Sequence, residues 1–117
     1  MTLFAVLLVL ATGQDCQQAQ TLARQAYEQR HYDQAATHFA HAITACGASA
    51  PLLLALAQAQ LLSQRPADAI ESLDRIRSDS AEYVPALKVK AKALYLLARD
   101  AEAEDTLKRA SARAPKE

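Results

Sequence analysis

The chain has 117 residues, no net formal charge, 27 alanines, two glycines, four prolines and neither Trp nor Asn. That length holds one domain with a modest core, and balanced charge excludes both a global basic field for nucleic acid and an acidic tail. Only six aromatics stand among the helix-favouring Ala, Leu, Gln, Glu and Arg, which excludes a β-sandwich or barrel and sets the fold class as all-α.

The first element is an unbroken apolar run, Leu3 to Ala11. Nine residues rise only ~14 Å as a helix, about half a bilayer core, so the run is too short to span one. Its composition fits the apolar centre of a secretory signal, with Ala11 and Gly13 as the small residues that a signal peptidase reads. No Lys or Arg precedes it, which departs from that pattern, and Asp15 before Cys16 stands where lipoprotein attachment needs a small residue. Residues 1–13 therefore read as a signal peptide or as an apolar N-terminal helix packed on the rest of the chain. Residues 14–117 read as the domain.

From Cys16 onward the chain repeats itself every 34 residues, in units 16–49, 50–83 and 84–117. Leu22, Leu56 and Lys90 are in register, as are Ala23, Ala57 and Ala91. Ala35, Ala69 and Ala103 follow, then Phe39, Leu73 and Leu107, then Ala42, Ile76 and Ala110. Such a period marks stacked helical hairpins. In the second unit Leu53, Leu56, Ala57 and Gln60 share one face of a first helix, and Ala69, Leu73 and Ile76 share one face of a second. Ser63-Gln64-Arg65 breaks the pattern, and Pro66 suits the first turn of a new helix. Pro51 and Pro85 sit where the first helices of units two and three begin, and Gly47 terminates unit one. The in-register alanines let paired helices approach closely, while Phe39, Leu73 and Leu107 fill the space between hairpins.

In this order of large, small and aromatic positions the chain resembles the tetratricopeptide repeat family. Unit one presents Ala19, Leu22, Ala23, Ala26, Ala35, Phe39, Ala42 and Gly47 at the motif positions, and unit two Leu53, Leu56, Ala57, Gln60, Ala69, Leu73, Ile76 and Ala81. Unit three presents Leu87, Lys90, Ala91, Leu94, Ala103, Leu107, Ala110 and Pro115. The missing Trp, Ala for the usual Gly, and Lys90 for Leu depart from the motif. The resemblance implies a right-handed α-solenoid of three hairpins with a concave groove for a peptide or partner helix. It implies no enzymatic activity and no cofactor. Carried over residue by residue, the groove comprises Gln17, Gln20, Arg24 and Tyr27, then Leu54, Gln58, Leu61 and Leu62, then Lys88, Lys92, Tyr95 and Leu96. Cations and tyrosines among them fit a protein or peptide that bears carboxylates. Without any Asn, the family's Asn–Lys carboxylate clamp is not supported.

Cys16 opens the first helix of unit one and Cys46 closes its second, ends that an antiparallel hairpin brings together. The pair reads as a disulfide, which fits an exported, periplasmic chain, or as two small reduced side chains, which fits a cytoplasmic one. His31, His38 and His41 read as surface residues because two imidazoles on one face lack a third ligand, so no metal is expected. No nucleotide, hydrolase or metalloprotease motif occurs, which leaves no small-molecule substrate in view. The rival to an adaptor is a fragment or self-assembling segment of a longer solenoid, with Leu107 and Ala110 facing the next hairpin and homo-oligomers forming through the C-terminal repeat.

Overall fold

Three tight turns set the architecture. The computed structural model describes the backbone of residues 2–113 and the side chains of residues 14–113. Within that span lie α1 (Thr2–Glu28), α2 (Tyr32–Cys46), α3 (Ala50–Leu62), α4 (Pro66–Leu73), α5 (Tyr83–Leu96) and α6 (Asp100–Arg113), and no strand occurs among the described residues. The backbone of α1 continues without a break through residue 13. Pro115, at the last motif position of unit three, lies outside the described residues.

Arg30, Gln64 and Ala98 are left-handed, with φ of 64°, 66° and 59°. Each donates its N–H to the carbonyl three residues back, on Tyr27, Leu61 and Tyr95. The next N–H, of His31, Arg65 and Arg99, reaches five back to Ala26, Gln60 and Leu94. This is the Schellman closure, which uses up carbonyls that a helix end leaves orphaned. The second helices then open at Tyr32, Pro66 and Asp100, again in register. Pro66 takes the first position of α4, and Pro51 and Pro85 lie in the first turns of α3 and α5. Ser49 caps α3 by accepting from the Leu52 N–H at 3.4 Å, and Gly47 ends α2 at φ 101°.

Successive helices pack on one another along the chain, and α3 also meets α5. The alanines fulfil the packing expectation pair by pair. Ala23 and Ala35 share one buried cluster, Ala57 and Ala69 a second, Ala91 and Ala103 a third. Phe39 of α2 is buried with Leu56 and Ala59 of α3, and Leu73 of α4 with Ala86 and Val89 of α5, so this position fills the space to the next hairpin.

Four expectations need correction. Leu22 is 38% exposed although Leu56 is buried. Leu56 packs into the cluster of the hairpin before it, and no helix among the described residues precedes α1. Leu107 is 40% exposed because no helix among them follows α6, whereas Ala110 beside it is buried rather than open to a neighbour. Helix α4 stops at Leu73, so Ile76 lies in the turn beyond it while remaining buried. Lys90, at a leucine position, is half-buried because its Nζ lies 2.8 Å from Asp74 Oδ1, at the C-cap of α4.

Candidate partner-binding groove

The residues expected to meet a partner divide into three groups. Gln20, Arg24, Tyr27 and Gln58 converge. Arg24, Tyr27 and Gln58 line a cavity of 180 Å³ between α1 and α3, with Phe39 of α2 as floor and Ala55 and Glu28 beside them. Gln20 and Arg24 line an adjoining cavity of 340 Å³ that runs on over Phe39 and Ala55 to Leu52, Pro51 and Cys46. Sharing Arg24, Phe39 and Ala55, the two form one groove along α1 and α3.

Leu54 and Leu61 form the second group. They pack against the cluster that contains Ala86 and Val89 of α5, and so close the α3–α5 space. The third group is outward-facing. Gln17, Lys88 and Lys92 are exposed, Tyr95 and Leu96 are the open end of α5, and Leu62 is exposed at the end of α3. None of the third group lines the α1–α3 groove.

Phe39 and Ala55 were not legible as groove residues. Phe39 occupies a core register position and stays buried, with Ala55 packed against its cluster, and both reach the floor of the groove.

The groove holds one cation, Arg24, and one acid, Glu28, over an apolar floor. The Tyr27 ring meets Tyr32 edge-on with centroids 5.3 Å apart. Burial pushes the Tyr27 phenol up, and neighbouring Tyr32 adds to the shift. The phenol therefore stays a neutral donor throughout the physiological range.

At the other end of the groove Cys16 and Cys46 form a disulfide, with Cα atoms 5.0 Å apart. It joins the start of the packed part of α1 to the end of α2. The Gln20 amide donates to both sulfurs, at 3.4 Å and 3.2 Å, which fixes the side chain at the groove's edge. His41, on the outer face of α2, lies 3.9 Å from Asp15 of α1, a further link between these helices when the imidazole is protonated. His31 is exposed and His38 half-buried.

Comparison with protein-family models, with curated proteins and with solved structures returned no match. No helix among the described residues is long and apolar enough to cross a membrane. The disulfide is compatible with an oxidising, exported location.

Proposed function

We propose that the chain is a right-handed solenoid of three tetratricopeptide-like hairpins, working as a non-enzymatic adaptor that takes a peptide or partner helix in the α1–α3 groove. The convergence of Gln20, Arg24, Tyr27 and Gln58 over the Phe39 floor carries this reading. An apolar floor with a few polar groups at its edge supplies burial for affinity and hydrogen bonds for orientation. Arg24 fits an acidic residue of the partner, and exposed Lys88, Lys92 and Tyr95 on α5 extend the surface for a longer segment. The same reading makes the chain an exported, periplasmic protein, to which the disulfide lends support.

The test is selection of displayed peptides against the folded, oxidised chain, followed by a counter-screen on Ala55→Trp, whose indole fills the groove. Selected peptides should lose binding to Ala55→Trp while its melting temperature stays close to that of the parent. Peptides that bind both proteins equally, or a selection that returns none, would overturn the groove.

A second reading rests on Leu107, 40% exposed at the register where Phe39 and Leu73 are buried. In that reading the α6 face meets another copy of the chain. Sedimentation separates the two, because a monomer at every concentration removes self-assembly and a dimer lost in Leu107→Lys supports it.

A further inference from the structure

A second cleft lies away from the α1–α3 groove, where α4 ends early. Register with α2, which runs to Cys46, would carry α4 to residue 80, but it stops at Leu73. The absent turns leave a cavity of 280 Å³ between the α4–α5 connection and α6. The buried side chains of Leu73, Ile76, Ala86 and Leu87 back it, Ser78 and Tyr83 stand beside them, Lys90 and Arg109 give it cations, and Asp74 gives it one acid.

These two cations differ in how they are compensated. Lys90 is neutralised by Asp74 at 2.8 Å. Arg109 donates through Nη2 to the Tyr83 hydroxyl at 2.9 Å, a neutral acceptor. Arg113, one turn on, donates to the Ser78 carbonyl at 3.2 Å and lies over the Tyr83 ring, 4.9 Å from its centroid. Among the described residues no carboxylate comes within ion-pair distance of either arginine. Asp105, one turn before Arg109 on α6, lines a neighbouring cleft together with it and forms no ion pair with it. A guanidinium has several N–H donors; the hydrogen bond to the Tyr83 phenol takes one of those of Arg109, which is exposed and forms no ion pair among the described residues.

We propose that this cleft binds a carboxylate carried on one short apolar group, the chemistry shared by the C-terminal residue of a polypeptide and a small free organic acid. The size limits the apolar body, because the cavity lies at or just below the lower end of ordinary ligand sites, about 300 Å³. The walls select an aliphatic or aromatic side chain. Arg109 takes the carboxylate through a charge-assisted hydrogen bond, with Arg113 adding to the field at the entrance. The site is separate from the α1–α3 groove, and either can fail without the other.

N-acetyl-leucine, its amide and an acetylated tetrapeptide ending in leucine are titrated into the oxidised full chain, followed by NMR shifts of Ile76, Tyr83 and Leu87. The acid should bind and shift these three signals, and the amide should bind at least about tenfold more weakly, the worth of one charge-assisted hydrogen bond. A tetrapeptide that binds more tightly than the acid assigns the site to polypeptide C-termini, and equal binding assigns it to free acids. Arg109→Gln should lose about tenfold, and Tyr83→Phe, which breaks the same Arg109–Tyr83 bond while keeping the charge, should retain binding. Equal loss in both variants, an amide as tight as the acid, or no shift at millimolar acid would overturn the proposal.

Discussion

The first and second hairpins share their turn and their alanines, yet their far ends differ. In the first, α2 runs 15 residues to Cys46 and is bonded there to α1. In the second, α4 runs eight residues, and 74–82 follow as turns held by hydrogen bonds such as Ile76 N–H to Leu73 and Ser80 N–H to Arg77. The substitutions between the units explain the difference. Ile43, which packs against two core clusters, is replaced in register by exposed Arg77. Ser78, Asp79 and Ser80 follow it, and their short polar side chains compete for backbone groups that a helix needs. Ser80 Oγ, for example, accepts from the Glu82 N–H at 3.2 Å. A repeat thus dictates the hairpin turn, where all three units hold the same hydrogen bonds, and leaves the opposite end to local residues. One far end became a covalent tie and the other a cleft.

The largest expected effect tests whether the units are equivalent in their packing. Phe39→Ala should lower stability by about 3–5 kcal/mol and Leu73→Ala by about 2–5 kcal/mol, since both are buried core side chains. Leu107→Ala, at the same register but 40% exposed, should cost less than about 1 kcal/mol. Denaturant unfolding of the three variants checks this, and a cost at Leu107 equal to that at Leu73 would show that α6 is covered in solution.

Next comes the covalent end. Replacing Cys16 and Cys46 together by serine opens a closed span of 31 residues, counted inclusively from a separation of 30. The loop-entropy relation gives a loss of roughly 3–4 kcal/mol. Unfolding midpoints with and without reductant should reproduce it in the parent and show no dependence on reductant in the double variant.

The turns give a smaller effect of opposite sign. Arg30→Gly, Gln64→Gly and Ala98→Gly each relieve a left-handed side chain and should stabilise by about 0.5–1 kcal/mol. A position at which glycine destabilises instead would mark a turn that is not equivalent to the other two.

The smallest effect concerns pH. The Arg99 guanidinium, hydrogen-bonded to Glu102 at 2.6 Å and 2.9 Å, holds that carboxyl below its ordinary value and is itself raised. A depressed folded value means the pair's contribution is present above the unfolded glutamate value and is lost as pH falls through the folded one. Both groups face water, so the change should appear in an NMR titration of the Glu102 carboxyl, returning to normal in Arg99→Gln, and barely in global stability.

The hairpin turns, the alanine pairs and the cysteine pairing were legible because each rests on residues that recur or on ends that a hairpin must bring together. The early stop of α4 was not, since Leu73 and Ile76 still carry the helical spacing and the loss lies in Arg77 to Ser80. The Lys90–Asp74 pair was not legible either, because it joins the C-cap of α4 to α5 across two units, where neither residue fits a motif position. Among the groove residues, the side of α1 followed from register. Which faces of α3 and α5 stay open was decided by the sizes of Ala55, Leu54 and Leu61, and a repeat motif does not encode that.

The first hairpin is a closed ring, with a hydrogen-bonded turn at one end and a sulfur bridge at the other. While both ends hold, α1 and α2 cannot slide lengthwise past each other. When the helices melt without reductant the turn is lost with them, but the bridge keeps residues 16 and 46 joined, so the first hairpin re-forms from a loop that is already closed.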